Sequence, residues 1–132
     1  MAVYLDSSAL VKMVAVEAES DELDAFVGNR EIVSSELART EVMRTINRRY
    51  AGLVEPAEDF LDELSLMPID RLVTMAAAWI RPWTVRSLDA IHLASAKMLE
   101  PGLEALVTYD RRMLDAGRLA GLRIASPGDK PA

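Results

Sequence analysis

The sequence predicts an α/β fold: a mostly parallel sheet covered by helices on both faces. Two observations carry this. Short apolar runs alternate with stretches of helical periodicity from one end of the chain to the other. The helical stretches are long enough to be crossovers, which parallel strands require. The chain has 132 residues, which suits one domain spanning residues 1–132.

The elements are read in order. A-V-Y-L, residues 2–5, is a short buried strand. A helix follows from Ser7 or Ser8 to about Val16, and E-S-D-E-L-D-A-F-V forms a second helix with acids in its first turn. Gly28-Asn29 stops it. E-I-V, residues 31–33, is the second strand. From Ser34 or Ser35 a long helix runs to about Ala51, because Leu37, Val42, Met43, Ile46, Tyr50 and Leu53 recur near every 3.6 residues. Gly52 is expected at its end. Pro56 suits the first turn of a helix over about residues 57–64. L-M-P-I-D, residues 66–70, is a third strand interrupted by its proline, and therefore an edge strand or an irregular one. A helix from Asp70 to about Ile80 and a loop, R-P-W-T-V-R, follow. Ser87 is the expected cap of a helix through S-L-D-A-I-H-L-A-S-A-K-M-L, ended by Pro101-Gly102. E-A-L-V-T-Y is a strand, D-R-R-M-L-D-A-G a short helix closed by Gly117, L-R-I-A a last strand, and S-P-G-D-K-P-A a tail.

Composition narrows the chemistry. There is no cysteine and a single histidine. This excludes disulfides, thiolate nucleophiles and cysteine zinc sites. No signal pattern opens the chain, and no apolar run approaches the roughly 20 residues of a membrane span. A cytoplasmic protein with no membrane role is expected. The formal net charge of -6 disfavours non-specific nucleic-acid binding. The arginines are nevertheless clustered, with Arg39, Arg44, Arg48 and Arg49 on one helix and Arg111 beside Arg112.

Four acids stand at comparable places. Asp6 and Asp110 end strands, where open parallel sheets place their sites. Asp89 lies in the first turn of a helix, and Glu41 two turns into the long one. Each has a local explanation: Asp6 and Asp110 as helix caps, Asp89 as a favourable charge on a helix dipole, Glu41 as a partner of Arg44 or Thr45. Gathered together, they would need a cation. Two carboxylates about 4 Å apart repel by roughly 4 kcal/mol at an effective dielectric near 20. Oxygen-only ligands favour Mg²⁺ or Mn²⁺, and such a site suits phosphodiester hydrolysis by metal-activated water.

V-Y-L-D-S-S-A-L-V-K, S-E-L-A-R-T-E-V, S-L-D-A-I-H-L-A-S-A and V-T-Y-D-R-R-M, taken in this order and at this spacing, resemble the PIN-domain family, in particular its VapC-type toxins. The resemblance covers essentially the whole chain. It implies a three-layer α/β/α sandwich around a parallel sheet. It also implies a Mg²⁺- or Mn²⁺-dependent endoribonuclease, usually a homodimer, that cuts tRNA or rRNA and is neutralised by a cognate VapB-like antitoxin. The residues matched to the family's acids are Asp6, Glu41, Asp89 and Asp110. Asp6 and Asp89 are expected as direct metal ligands. Glu41 and Asp110 complete the site directly or through water, and Ser7 or Thr108 supports it by hydrogen bonding. In the family, the side formed here by residues 8–27 receives the antitoxin's C-terminal segment.

Arg44 and Arg48 are candidate RNA-phosphate contacts if Glu41 faces the site. His92 is expected to be structural, because it lies in an apolar helix and the family's chemistry does not require it. Trp79, Trp83 and the methionines are assigned to core or interface, with Trp83 the one to watch for RNA. Two other functions compete. A phospho-acceptor is disfavoured because D-x-D is absent, Ser8 standing at the third position, and no lysine ends a late strand. A catalytically silent interaction module of the same fold is disfavoured by the four intact acids.

Overall fold

The structure, a computed structural model, describes residues 1–129. The strands are β1 (Ala2–Leu5), β2 (Glu31–Ser35), β3 (Ser65–Met67), β4 (Leu103–Val107) and β5 (Ile124–Ala125). They form one sheet in the order β3-β2-β1-β4-β5, with every pairing parallel. The helices are α1 (Ser7–Val14), α2 (Ser20–Val27), α3 (Glu36–Arg49), α4 (Val54–Asp62), α5 (Arg71–Ala77), α6 (Ser87–Lys97) and α7 (Arg111–Leu119).

Alternation along β1 explains the three layers. Val3 and Leu5 point to one face and join a core built from α1, α2, α3 and α4. Tyr4 points to the other face and joins a core built from α6 and α7 around Leu93, Leu106 and Met113. Chain order reverses direction across the sheet at β1, whose neighbours are β2 and β4. Such a reversal leaves a crevice beyond the carboxyl ends of the two central strands. The short β3 takes an edge position and stops at Met67, so Pro68, expected inside the strand, falls just outside it.

Several boundaries differ from the sequence reading. Ser34 and Ser35 complete β2, so α3 starts at Glu36 with Ser35 as its cap. Ser34 is buried and donates to the Leu5 carbonyl at 2.6 Å, satisfying the end of β1 from a neighbouring strand. The α3 helix ends at Arg49, before Gly52. Arg86, not Ser87, takes the cap position of α6. Gly117 does not close α7 but lies inside it. A β-carbon there would stand 2.8 Å from the Ile124 side chain and 3.4 Å from Leu106. The residue is small because the helix presses on the sheet, and the chain turns later, at Gly121 with φ 80°. The last three residues of the expected tail lie outside the described residues.

Candidate active site

Asp6 follows β1 and caps α1, its Oδ1 accepting from the Ala9 N–H at 3.1 Å. The capping interpretation of this aspartate is therefore right, and it is incomplete. The same oxygen accepts from the Ser8 hydroxyl at 2.6 Å, and Oδ2 accepts from the Thr108 hydroxyl at 2.5 Å. Thr108 follows β4, so this bond closes the crevice between the two central strands. Thr108 Oγ1 also accepts from the Asp110 N–H, and Ser8 Oγ accepts from the Tyr109 N–H. Asp6 is 4% exposed. Burial pushes its carboxyl above the ordinary range, while the Ser8 and Thr108 hydroxyls pull it back.

Glu41 comes from the α3 layer and His92 from the α6 layer, and they meet beyond the sheet. Glu41 Oε1 accepts from the Ser7 hydroxyl at 3.1 Å and lies 2.7 Å from His92 Nε2. On its other side, His92 Nδ1 lies 2.7 Å from the Tyr4 hydroxyl. Glu41 is thus not spent on Arg44 or Thr45. Ser7 supports Glu41, and Thr108 supports Asp6.

Asp89 and Asp110 are held more loosely. Asp110 is exposed and caps α7 through the Arg112 N–H at 2.9 Å. Among the described residues, no hydrogen bond reaches the Asp89 carboxylate. Burial pushes the Asp89 carboxyl above its ordinary range, and the negative charges of Asp110 and Glu41 push it the same way. The Arg86 guanidinium acts against them.

Two clefts flank the acids. One, of about 430 Å³, is lined by Ser7, Ser8 and Glu41 together with Lys12, Thr45, Arg48 and Arg49. Arg48 belongs to it; Arg44 is exposed on the same helix and does not line it. Lys12 is bound to Glu17 and Glu19, and Arg49 to Glu17. The other cleft, of about 420 Å³, is lined by Asp89 between Arg86 and Arg112. Among the described residues, neither Arg86 nor Arg112 forms an ion pair. The sequence marked neither as a contact; only adjacency to Asp89 and Asp110 pointed to them.

As the side chains stand, no three acidic or imidazole groups among the described residues are close enough to enclose a metal ion. The donor set nevertheless fits a hard cation. Asp89, Asp110 and Glu41 each keep a carboxylate oxygen that no hydrogen bond fills among the described residues. The negative charges of Asp110 and Glu41 both oppose ionisation of Asp89, and a cation would relieve that.

Residues 3–119 match the PIN domain family. The chain is 42% identical to Ribonuclease VapC46 of Mycobacterium tuberculosis, over 96% of this chain and 98% of that protein. It is 40% identical to Ribonuclease VapC47 of the same species, over 96% and 97%. Two solved structures share the fold. M. tuberculosis VapC20, a sarcin–ricin loop cleaving toxin, superposes with a TM-score of 0.71, at 16% identity over 88% of this chain and 95% of that one. VapBC2 from Rickettsia felis, bound to a fragment of its promoter DNA, gives 0.69 at 15% identity over 95% and 98%.

Proposed function

This chain belongs to the PIN-domain family, and from that premise we propose that it is an endoribonuclease whose four acids hold Mg²⁺ or Mn²⁺, and that a cognate VapB-like antitoxin neutralises it. One observation carries the assignment. Asp6 and Asp110 follow the two central strands β1 and β4, and the charges of Asp110 and Glu41 both oppose ionisation of Asp89.

Asp89, Asp110, Glu41 and Asp6 are the residues that would hold the ion. When bound, it supplies charge neutralisation at the scissile phosphate and a water acidic enough to attack it. The protein's own groups do the rest. Ser8 and Thr108 fix Asp6, and Ser7 fixes Glu41. Arg48 in one cleft, and Arg86 and Arg112 in the other, present guanidinium groups to the phosphates on either side of the cut. This arrangement suits a single strand drawn across the acids, as in an exposed tRNA or rRNA loop. The chain acts as a homodimer. Among the described residues no helix is long and apolar enough to cross a membrane.

The test is cleavage of total cellular RNA by the antitoxin-free protein, with Mg²⁺, with Mn²⁺ and with EDTA, beside an Asp89→Asn control. Discrete fragments that need the metal and vanish in the control are expected. A folded protein that binds Mn²⁺ yet cuts no RNA would instead be an interaction module of the same fold. Cleavage that survives EDTA would remove the metal from the proposal.

A further inference from the structure

His92 lies where sequence and family suggest only a core residue, yet its ring joins the two layers at the site. It is 1% exposed, and Tyr4 is fully buried. Both ring nitrogens are engaged, each at 2.7 Å, by partners 88 and 51 residues away in sequence. An ionised carboxylate can only accept a hydrogen bond, so the nitrogen facing Glu41 must carry a proton. In a neutral ring the other nitrogen is then a bare lone pair, which needs a donor. The Tyr4 hydroxyl is that donor. With the ring fixed at both ends, Glu41 Oε1 is occupied by His92 and Ser7, and Oε2 is the oxygen left to face the other acids.

We propose that Tyr4 and His92 form a positioning relay in which the imidazole, held at both ring nitrogens, aims the free oxygen of Glu41 into the acidic site. The relay gives His92 a role in metal affinity without making it a ligand. It rests on the reading of the four acids as a cation site, and its test is separable from RNA cleavage.

His92 is the only histidine in the chain, so its ring can be read without assignment in ¹⁵N-labelled protein prepared without a histidine tag. A long-range ¹H–¹⁵N spectrum should show a neutral ring protonated on Nε2 and bare on Nδ1. Tyr4→Phe removes the bond that holds Nδ1 and should weaken Mn²⁺ affinity while leaving the proton on Nε2. Mn²⁺ affinity, measured by EPR, should fall roughly 10- to 100-fold in His92→Leu, the range for removing a group that orients a ligand. His92→Gln, whose amide can still donate to Glu41, should recover most of it. A proton on Nδ1 overturns the relay, as does wild-type Mn²⁺ affinity in a folded His92→Leu. If His92→Leu fails to fold, Tyr4→Phe and His92→Gln decide. Unchanged Mn²⁺ affinity in Tyr4→Phe, or a folded His92→Gln that loses the full roughly 10- to 100-fold, would refute it. If the wild type binds Mn²⁺ through this network but cuts no RNA, the nuclease assignment fails and the relay stands.

Discussion

Asp6 and Asp89 are held in opposite ways. Asp6 is buried, caps α1 and accepts hydroxyls from Ser8 and from Thr108 across the crevice. Asp89 is half-buried, and among the described residues nothing donates to it; its neighbours in charge are Asp110 and Glu41. Glu41 resembles Asp6, tied to Ser7 and His92, whereas exposed Asp110 resembles Asp89 apart from its cap. One half of the site is therefore built into the fold. The other half is free to adjust, and negative charge waits there for a partner.

The comparison can be broken most directly by activity. Asp89→Asn should lower RNA cleavage by more than the roughly 100-fold that loss of an outer-shell partner costs. Asp6→Ala should do the same. If Asp89→Asn retains most activity in single-turnover cleavage, the loose half is surface charge and not part of the site.

Stability should then separate the two. Asp6→Ala removes a helix cap and leaves the buried Thr108 hydroxyl without its acceptor, a loss of about 2–4 kcal/mol in urea unfolding. Asp89→Asn should instead stabilise the metal-free protein at pH 7. Its folded carboxyl is raised above the unfolded value, so the folded state holds the proton to higher pH. Stability is complete below the unfolded pKa and falls as pH rises through the folded one. The amide abolishes that fall, so the gain should disappear in acid, below the ordinary aspartate range. Equal destabilisation by both substitutions at pH 7 in EDTA would erase the distinction.

A smaller effect concerns the arginines beside Asp89. Arg86→Gln with Arg112→Gln should flatten the salt dependence of RNA binding by about 1.4 in log–log slope, near 0.7 per contact on a single strand. An unchanged slope, measured by fluorescence anisotropy on a catalytically inactive background, would take RNA off that cleft.

The smallest effect belongs to the rigid side. Partial burial would raise the Glu17 carboxyl, but hydrogen bonds from Tyr50 and Lys12 outweigh it and hold it below its ordinary range. A depressed carboxyl stabilises above its unfolded pKa and loses that contribution as pH falls through the folded one. Glu17→Gln should cost on the order of 1 kcal/mol at pH 7 in thermal or urea unfolding and nothing in strong acid. An equal loss at both extremes would mean that shape, not charge, holds this wall of the cleft.

Much of this was legible in the chain. The parallel sheet, the edge position of β3 and the strand-end placement of Asp6 and Asp110 follow from apolar runs, a proline and turn chemistry, all of which act over a few residues. Gly117 shows where such reading stops. A glycine near the end of a helical pattern looks like a stop, but this one is small because Ile124 and Leu106 press against it. His92 is the same lesson at the site. Its apolar helix correctly announced burial and could not announce what the ring touches.

Local order comes from neighbours along the chain, because caps, helical periods and strand ends are satisfied within one or two turns. The pattern of residues therefore specified the elements, the four acids and the family they resemble. The site's bonds span 34, 51, 88 and 102 residues, linking Ser7 to Glu41, Glu41 to His92, His92 to Tyr4 and Asp6 to Thr108. Which oxygen each acid keeps free, and which arginines reach the clefts, depended on the strand order β3-β2-β1-β4-β5 and on two helical layers meeting over its end. Distances of that kind are set by packing the whole sheet, and no short stretch of residues encodes them.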